Sequence, residues 1–310
     1  MENNLDEVEI FSKPISRTLA ILLALLVTFL WSTSFVIIKL GLKEIPPLTF
    51  AGLRYFIAFV SLLPFAVSKD RIEEIKNLDK KTWYKLILLG IVFYTATQGT
   101  QFLGLSLLPA VTVSLWLNFT PIIVALLGIV LISEIPTKQQ WIGTLLFVAG
   151  IIVYFFPISL LGDQALGLIV MTIGVLANSG SAVLGRDINR GGKHHPLVVT
   201  VISMGVGAAL LLIIGLIVQG LPSINTTNII YILWLALINT ALAFTLWNIS
   251  LRSLTAMESS IINGTMLIQI ALIAWIFLGE TISIKEIGGM AVAAAGALLV
   301  QMKRAGSKSI

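Results

Sequence analysis

Glu134-Ile-Pro-Thr-Lys-Gln-Gln-Trp-Ile-Gly-Thr-Leu-Leu-Phe-Val-Ala-Gly150 and Glu280-Thr-Ile-Ser-Ile-Lys-Glu-Ile-Gly-Gly-Met-Ala-Val-Ala-Ala-Ala-Gly296 carry one pattern twice, 146 residues apart. Glu134 matches Glu280, Gly143 matches Gly289 and Gly150 matches Gly296. Thr137 to Gln140 and Ser283 to Glu286 both have the form of a capping box, in which a hydroxyl and a carboxylate or amide three residues on satisfy the first amides of a helix. One such box only starts a helix. Two in register mark an internal repeat.

The register extends outward. Ala110, Ser114 and Ala125 match Ala256, Ser260 and Ala271 at the same offset. Nearer the amino terminus Ser34-Phe-Val-Ile-Ile-Lys39 matches Ser181-Ala-Val-Leu-Gly-Arg186 with one residue more. Between these landmarks lie long apolar runs. Hydrophobic residues make up 57% of the 310 and charged residues 11%, with mean hydropathy +0.99. Soluble domains carry roughly 25% charged residues, so this chain cannot cover a water-facing surface. A cytosolic enzyme, a disordered tail and a secreted scaffold are excluded. The net charge of +5 is read against a membrane and not against nucleic acid. With no cysteine, disulfides and thiolate sites are excluded, and the redox compartment stays open.

Ten runs approach the length of about 20 residues that a spanning helix needs: 18–38, 48–67, 84–105, 111–132, 140–157, 165–185, 197–218, 229–250, 257–278 and 285–302. They are continuous and not alternating, which excludes barrel strands. The first is too long for a secretory signal and lacks a cleavage site, so it is expected to be retained. The polar insertion from Ser68 to Thr82 has Ile72, Ile75 and Leu78 at helical spacing and reads either as a short interfacial helix or as a solvated loop.

With the amino terminus inside, 16 of the 20 basic residues fall in inner segments, including Arg17, Lys69, Arg71, Lys85, Arg190 and Arg252. Both termini are then cytoplasmic and the spans number ten, five per repeat. Five is odd, so the second half enters from the opposite face. The expected fold is an all-α membrane protein of ten transmembrane helices in two inverted five-helix repeats: a tail at 1–17, repeats at 18–157 and 158–302, and a tail at 303–310. One pattern folded in two opposite orientations readily gives two pseudo-equivalent states, one open to each side, which points to alternating access.

Trp31-Ser-Thr-Ser-Phe35 followed by Lys39, Pro47 followed by Arg54, and Gly279-Glu280 leading to Gly289 and Gly296 resemble the EamA-type members of the drug/metabolite transporter superfamily. The resemblance covers about residues 20–302. It implies ten helices, cytoplasmic termini in a prokaryotic plasma membrane, and export of small metabolites such as amino acids. Two departures stand out. Ser133 precedes Glu134 where glycine is usual, and Asn178 stands where Trp31 sits in the first half, so the two gates differ chemically.

No carboxylate falls near the middle of an expected span, and both histidines, His194 and His195, sit in a loop. A mid-membrane acid or histidine is the usual proton relay. Its lack favours facilitated diffusion or exchange over proton coupling. Glu134 and Glu280, at helix ends, are fallback coupling sites, with helix termination or packing as the simpler role.

The candidate pathway is therefore built from uncharged groups. Tyr94, Gln98 and Gln101 share one face of the third span. Ser114, Asn118 and Pro121 share one of the fourth. Trp247 and Asn248, then Ser260 and Asn263, are offered by the eighth and ninth. Trp31, Ser32 and Ser34 line or gate the path from the first span, and Asn178 matches them in the sixth. Amides in hydrocarbon need partners, so these faces are expected to converge on a central polar cavity. The competing reading is interhelical bonding. Trp116 lies off that face and is assigned to packing or lipid. Lys39, Arg54 and Arg186 are candidate entrance charges: Lys39 and Arg186 either attract a carboxylate-bearing substrate or snorkel to headgroups, and Arg54, costly inside the membrane unless paired or hydrated, is expected to face protein carbonyls or a vestibule. Gly143 and Gly150, with Gly288, Gly289 and Gly296, form small-residue faces for packing within a monomer or between two subunits.

No cofactor, metal or catalytic residue is expected. An intramembrane enzyme would need a nucleophile with a base or a metal cluster at depth, and neither an H-E-x-x-H nor a G-x-S-x-G motif occurs. The expected partners are a small-molecule substrate and the bilayer. The alternative function is a flippase or transporter of a lipid or lipid-linked precursor.

Overall fold

The computed structural model describes residues 15–132, 137–156, 162–189, 194–251, 253–254, 259 and 262–301, and the side chains at 125, 128–132, 186, 189 and 301 are outside that description. All regular structure among the described residues is helical. The helices are α1 (Arg17–Gly41), α2 (Pro47–Ala66), α3 (Lys69–Lys76), α4 (Lys80–Leu107), α5 (Ala110–Leu117), α6 (Thr120–Ile132), α7 (Lys138–Phe155), α8 (Asp163–Asn189), α9 (Pro196–Gln219), α10 (Thr226–Leu251), α11 (Met266–Leu278) and α12 (Ile284–Gln301).

By length and composition, seven of them (α1, α2, α4, α7, α8, α9 and α10) can cross a membrane. The other three expected spans fall on α5 with α6, on α11 and on α12, each interrupted, shorter or bordering residues outside the description. The insertion after α2 is helical over Lys69–Lys76 and buries no residue, so it forms a separate polar helix.

Local chemistry starts these helices where expected. Thr137 accepts from the Gln140 amide while the Gln140 side chain accepts from the Thr137 amide, so the first capping box is closed in both directions. Ser283 and Glu286 repeat that exchange before α12. Gly279, with φ +66°, terminates α11 in the left-handed conformation that glycine adopts without a Cβ clash.

The fourth expected span is broken. α5 ends at Leu117, the Asn118 side chain donates to the Ser114 carbonyl at 2.8 Å, and α6 begins at Thr120. Pro121 has no N–H to give back to residue 117 and suits a first helical turn, so it starts a new helix where the chain could have continued. The same break recurs one repeat later, where Thr265 interrupts the helix before α11. Gly90–Thr97 of α4 and Trp234–Leu242 of α10 are both wound as π-helix, again at corresponding places in the two halves.

Packing is reciprocal. α1 packs on α10 and α11, and α8 packs on α4 and α6. α2 packs on α10, and α9 packs on α4. α7 and α12 run antiparallel along their glycines. A Cβ on Gly143 would lie 2.7 Å from the Gly296 carbonyl oxygen, and one on Gly150 would lie 2.6 Å from that of Gly289. Since Gly289 and Gly296 are the repeat counterparts of Gly143 and Gly150, each contact is the other seen from the opposite half.

Candidate functional site

One end of the bundle carries a charged cluster. Lys39, in the last turn of α1, lies 3.2 Å from Glu280 Oε1 and donates to the Leu108 carbonyl at 2.8 Å. Glu280 Oε1 also accepts from the Ala110 amide at 2.8 Å. Pro109 at the start of α5 has no side chain that can cap those amides, so a carboxylate from the other half of the sequence does it. This cluster ties α1, α4 and α5 to the end of α11.

The other end holds a cavity of about 260 Å³ between α4, α8 and α9. Tyr94, Asn178, Ser181, Thr200 and Ser203 give it polar walls, and Leu89, Phe93 and Val199 give it apolar ones. In the same helices Lys85 of α4 pairs with Asp187 of α8, and Glu74 on α3 accepts from the His195 amide just before α9.

Between these ends lie the polar groups at depth. Arg54 of α2 is 4% exposed. Its Nε donates to Thr240 Oγ1 on α10 at 3.1 Å, and its guanidinium lies 5.0 Å from the Tyr55 ring centroid and 6.0 Å from that of Phe102. The Tyr55 hydroxyl donates to Gln98 Oε1 at 2.6 Å, and Tyr94 meets the Tyr55 ring edge-on at 5.7 Å. Across α1 and α11, Ser32 donates to Gln269 Oε1 at 2.9 Å, and the Gln269 amide reaches Thr28 and Thr265. Trp31 packs on Phe244 and Trp247, with centroids 5.3 and 5.2 Å away.

The structure thus brings some of the sequence candidates together and leaves others apart. Tyr94 and Asn178 share the cavity wall, Trp31 meets Trp247, and Gln98 joins Tyr94 through Tyr55. Asn178 also donates to Thr120 Oγ1 at 3.1 Å. Ser34 is buried and bonds back to the Trp31 carbonyl, and Ser114 is buried beside Asn118 at the helix break. Gln101 is half-buried with no side-chain hydrogen bond among the described residues, and Asn248 and Asn263 are exposed. Ser260 and Glu134, and the side chain of Arg186, lie outside the described residues. Arg54 lies inside the bundle and not at a mouth. Trp116 packs on Phe119 and Phe155, and its Nε1 donates to Thr172.

Sequence reasoning missed Gln269, Asn239, Thr240 and Tyr55. Asn239 is fully buried, its Nδ2 donates to the Leu30 carbonyl, and its Oδ1 has no partner. Both amides sit alone in apolar runs, so listing every amide in the spans would have found them. Tyr55 and Thr240 are too ordinary in helices to signal. Among the described residues no group of three or more His, Asp or Glu could hold a metal.

A model of the EamA-like transporter family matches residues 18–156 and again 165–302. The uncharacterized transporter YvbV of Bacillus subtilis is 28% identical over 309 residues, covering 96% of this chain and 95% of that protein. A probable amino-acid metabolite efflux pump of Salmonella typhimurium is 28% identical, covering 88% of this chain and 92% of its own. An S-adenosylmethionine/S-adenosylhomocysteine transporter of Chlamydia trachomatis is 28% identical over 44% of this chain and 41% of its own. A solved crystal structure shares the fold with a TM-score of 0.63 at 17% identity, covering 92% of this chain and 98% of that one.

Proposed function

Since the chain belongs to the EamA-like transporter family, and is a multi-pass membrane protein whose relatives are named as transporters, we propose that it is a secondary transporter exporting small metabolites, amino acids or related compounds, across the plasma membrane by alternating access. Ten spans form two inverted five-helix repeats, and both termini face the cytoplasm.

The observation that carries this reading is the contrast between the two ends of the bundle. Lys39 and Glu280 tie α1 to the end of α11 at one end, while a cavity walled by Tyr94, Asn178 and Ser181 lies between α4, α8 and α9. In the proposed orientation this is an inward-open carrier. The reciprocal glycine contacts of α7 and α12, and the matching breaks and π segments, support two halves able to exchange roles. A ligand entering the cavity meets amides, hydroxyls and aromatic rings. No carboxylate lines the described cavity, which supports facilitated diffusion or exchange over proton coupling.

The test is counterflow of labelled amino acids in proteoliposomes with no ion gradient. Accumulation of label supports the facilitator. Strict dependence on a pH gradient would establish proton coupling, and movement of labelled lipid in place of amino acids would favour the flippase.

A further inference from the structure

Arg54 presents an unanswered charge. A guanidinium carries five N–H donors and stays protonated in proteins, yet this one makes a single hydrogen bond, from Nε to Thr240 Oγ1. No described carboxylate pairs with it, and the residue is 4% exposed. The face of Tyr55 lies beneath it at 5.0 Å, and Gln98 holds the Tyr55 hydroxyl. Aromatic faces hold a cation in place but leave its N–H groups unfilled. Tyr94, which lines the cavity, meets the same Tyr55 ring edge-on at 5.7 Å. Arg54 and the cavity thus share the Tyr55–Tyr94 aromatic pair.

Architecture does not account for it. The repeat counterpart of α2 is α9, Pro196–Gln219, which packs on α4 as α2 packs on α10 and contains no charged residue. If the fold needed a cation at this position, both halves would carry one. A buried ion is kept in a membrane protein when something pairs with it, and here the fitting partner is a planar anion able to take two parallel N–H bonds.

We infer that Arg54 is the anion-binding group of the substrate site and that the transported compound carries a carboxylate. This deepens the transporter reading and rests on it. Substrate enters past Tyr94, its carboxylate takes the free edge of the guanidinium, and Tyr55, fixed by Gln98, sets the plane of that edge.

Thermal unfolding of the purified protein tests this, with L-leucine, L-phenylalanine and L-lactate each compared with its carboxamide, which lacks the anionic group, in wild type, Arg54→Gln and Arg54→Lys. At least one acid is expected to raise the wild-type midpoint while its amide does not. Arg54→Gln should weaken apparent affinity for that acid on the order of tenfold or more, and Arg54→Lys, which keeps the charge and loses the fork, should retain part of it. The ligand-free midpoint of Arg54→Gln should equal or exceed that of wild type, because an unpaired charge is removed; a merely structural arginine would give a lower one. An amide that stabilises as well as its acid, a full shift retained in Arg54→Gln, or no response of wild type to any acid overturns the inference. Wild-type counterflow of a neutral or cationic compound alongside any of those results leaves the transporter standing without the anion site. Acid-specific stabilisation lost in Arg54→Gln, with no counterflow of any compound, keeps the anion site and removes the transporter reading.

Discussion

Lys39 and Glu280 lie 241 positions apart in sequence and 3.2 Å apart in space, and Glu280 also takes the Ala110 amide at 2.8 Å. One carboxylate thus neutralises a cation and caps a helix. Glu280→Gln should cost about 1–3 kcal/mol at that end, because it weakens the pairing of Lys39 and the cap on α5 together. The chain has no cysteine, so a single Ser34→Cys probe can report access. A membrane-impermeant maleimide applied from outside should label the Glu280→Gln background several-fold faster. Equal rates would mean the pair does not hold that end shut.

The α7–α12 seam has no room for side chains. Gly150→Val would drive a Cβ to within 2.4 Å of the Ala293 nitrogen, whereas Gly288 has nothing within 4 Å of its Cβ position. Overpacking of this kind costs about 1–3 kcal/mol or more. Thermal unfolding in detergent should show a clear drop for Gly150→Val and no change for Gly288→Ala. Similar midpoints for both would refute the packing account.

Gln98→Ala should leave the buried Tyr55 hydroxyl unpaired and release the ring beneath Arg54. A loss of about 1–1.5 kcal/mol corresponds to roughly tenfold in transport. Asn118→Ala, which frees the Ser114 carbonyl at the helix break, should impair transport less. Wild-type counterflow in both variants would show that the polar groups at depth are structural only.

His195 caps α9 by accepting from the Leu197 amide at 3.2 Å, which requires a neutral Nδ1. Burial holds its pKa below the ordinary histidine value, the Arg71 charge pushes it the same way, and Glu74 opposes them. The unfolded chain therefore binds this proton more readily than the folded one, so stability should fall as pH drops below about 6.5 and level off once the lowered folded value is passed. Asn caps without titrating, so His195→Asn should flatten that slope in melts between pH 5 and 7.5. An unchanged slope would assign the pH dependence to other groups.

The helix starts were legible because their signals are local. The capping boxes at Thr137 and Ser283 depend on residues three apart, whereas the stop at Gly279 was not read and the segment at Lys69–Lys76 stayed open between helix and loop. The break at Asn118 was less legible. Pro121 was read as part of a shared polar face when its missing N–H also starts a new helix. For the site, Tyr94, Asn178, Gln98, Trp31 and Trp247 were each singled out, but their grouping was not. Gln98 reaches Tyr94 only through Tyr55, which carried no signal of its own.

By itself the sequence determined the solvent and the repeat. Long runs nearly free of charge exclude water, and a pattern recurring at 146 residues makes two halves of one kind. The tertiary structure decided the pairings: Glu280 with Lys39, Arg54 with Thr240, Gln269 with Ser32. In a soluble helix an apolar stripe announces which face turns inward. Here lipid is as apolar as leucine, so most faces read alike, and helix rotation and neighbour are set by packing between segments far apart in the chain. That is why the cation at Arg54 was visible from the start, while its lack of a counter-charge among the described residues appeared only once the helices around it were in place.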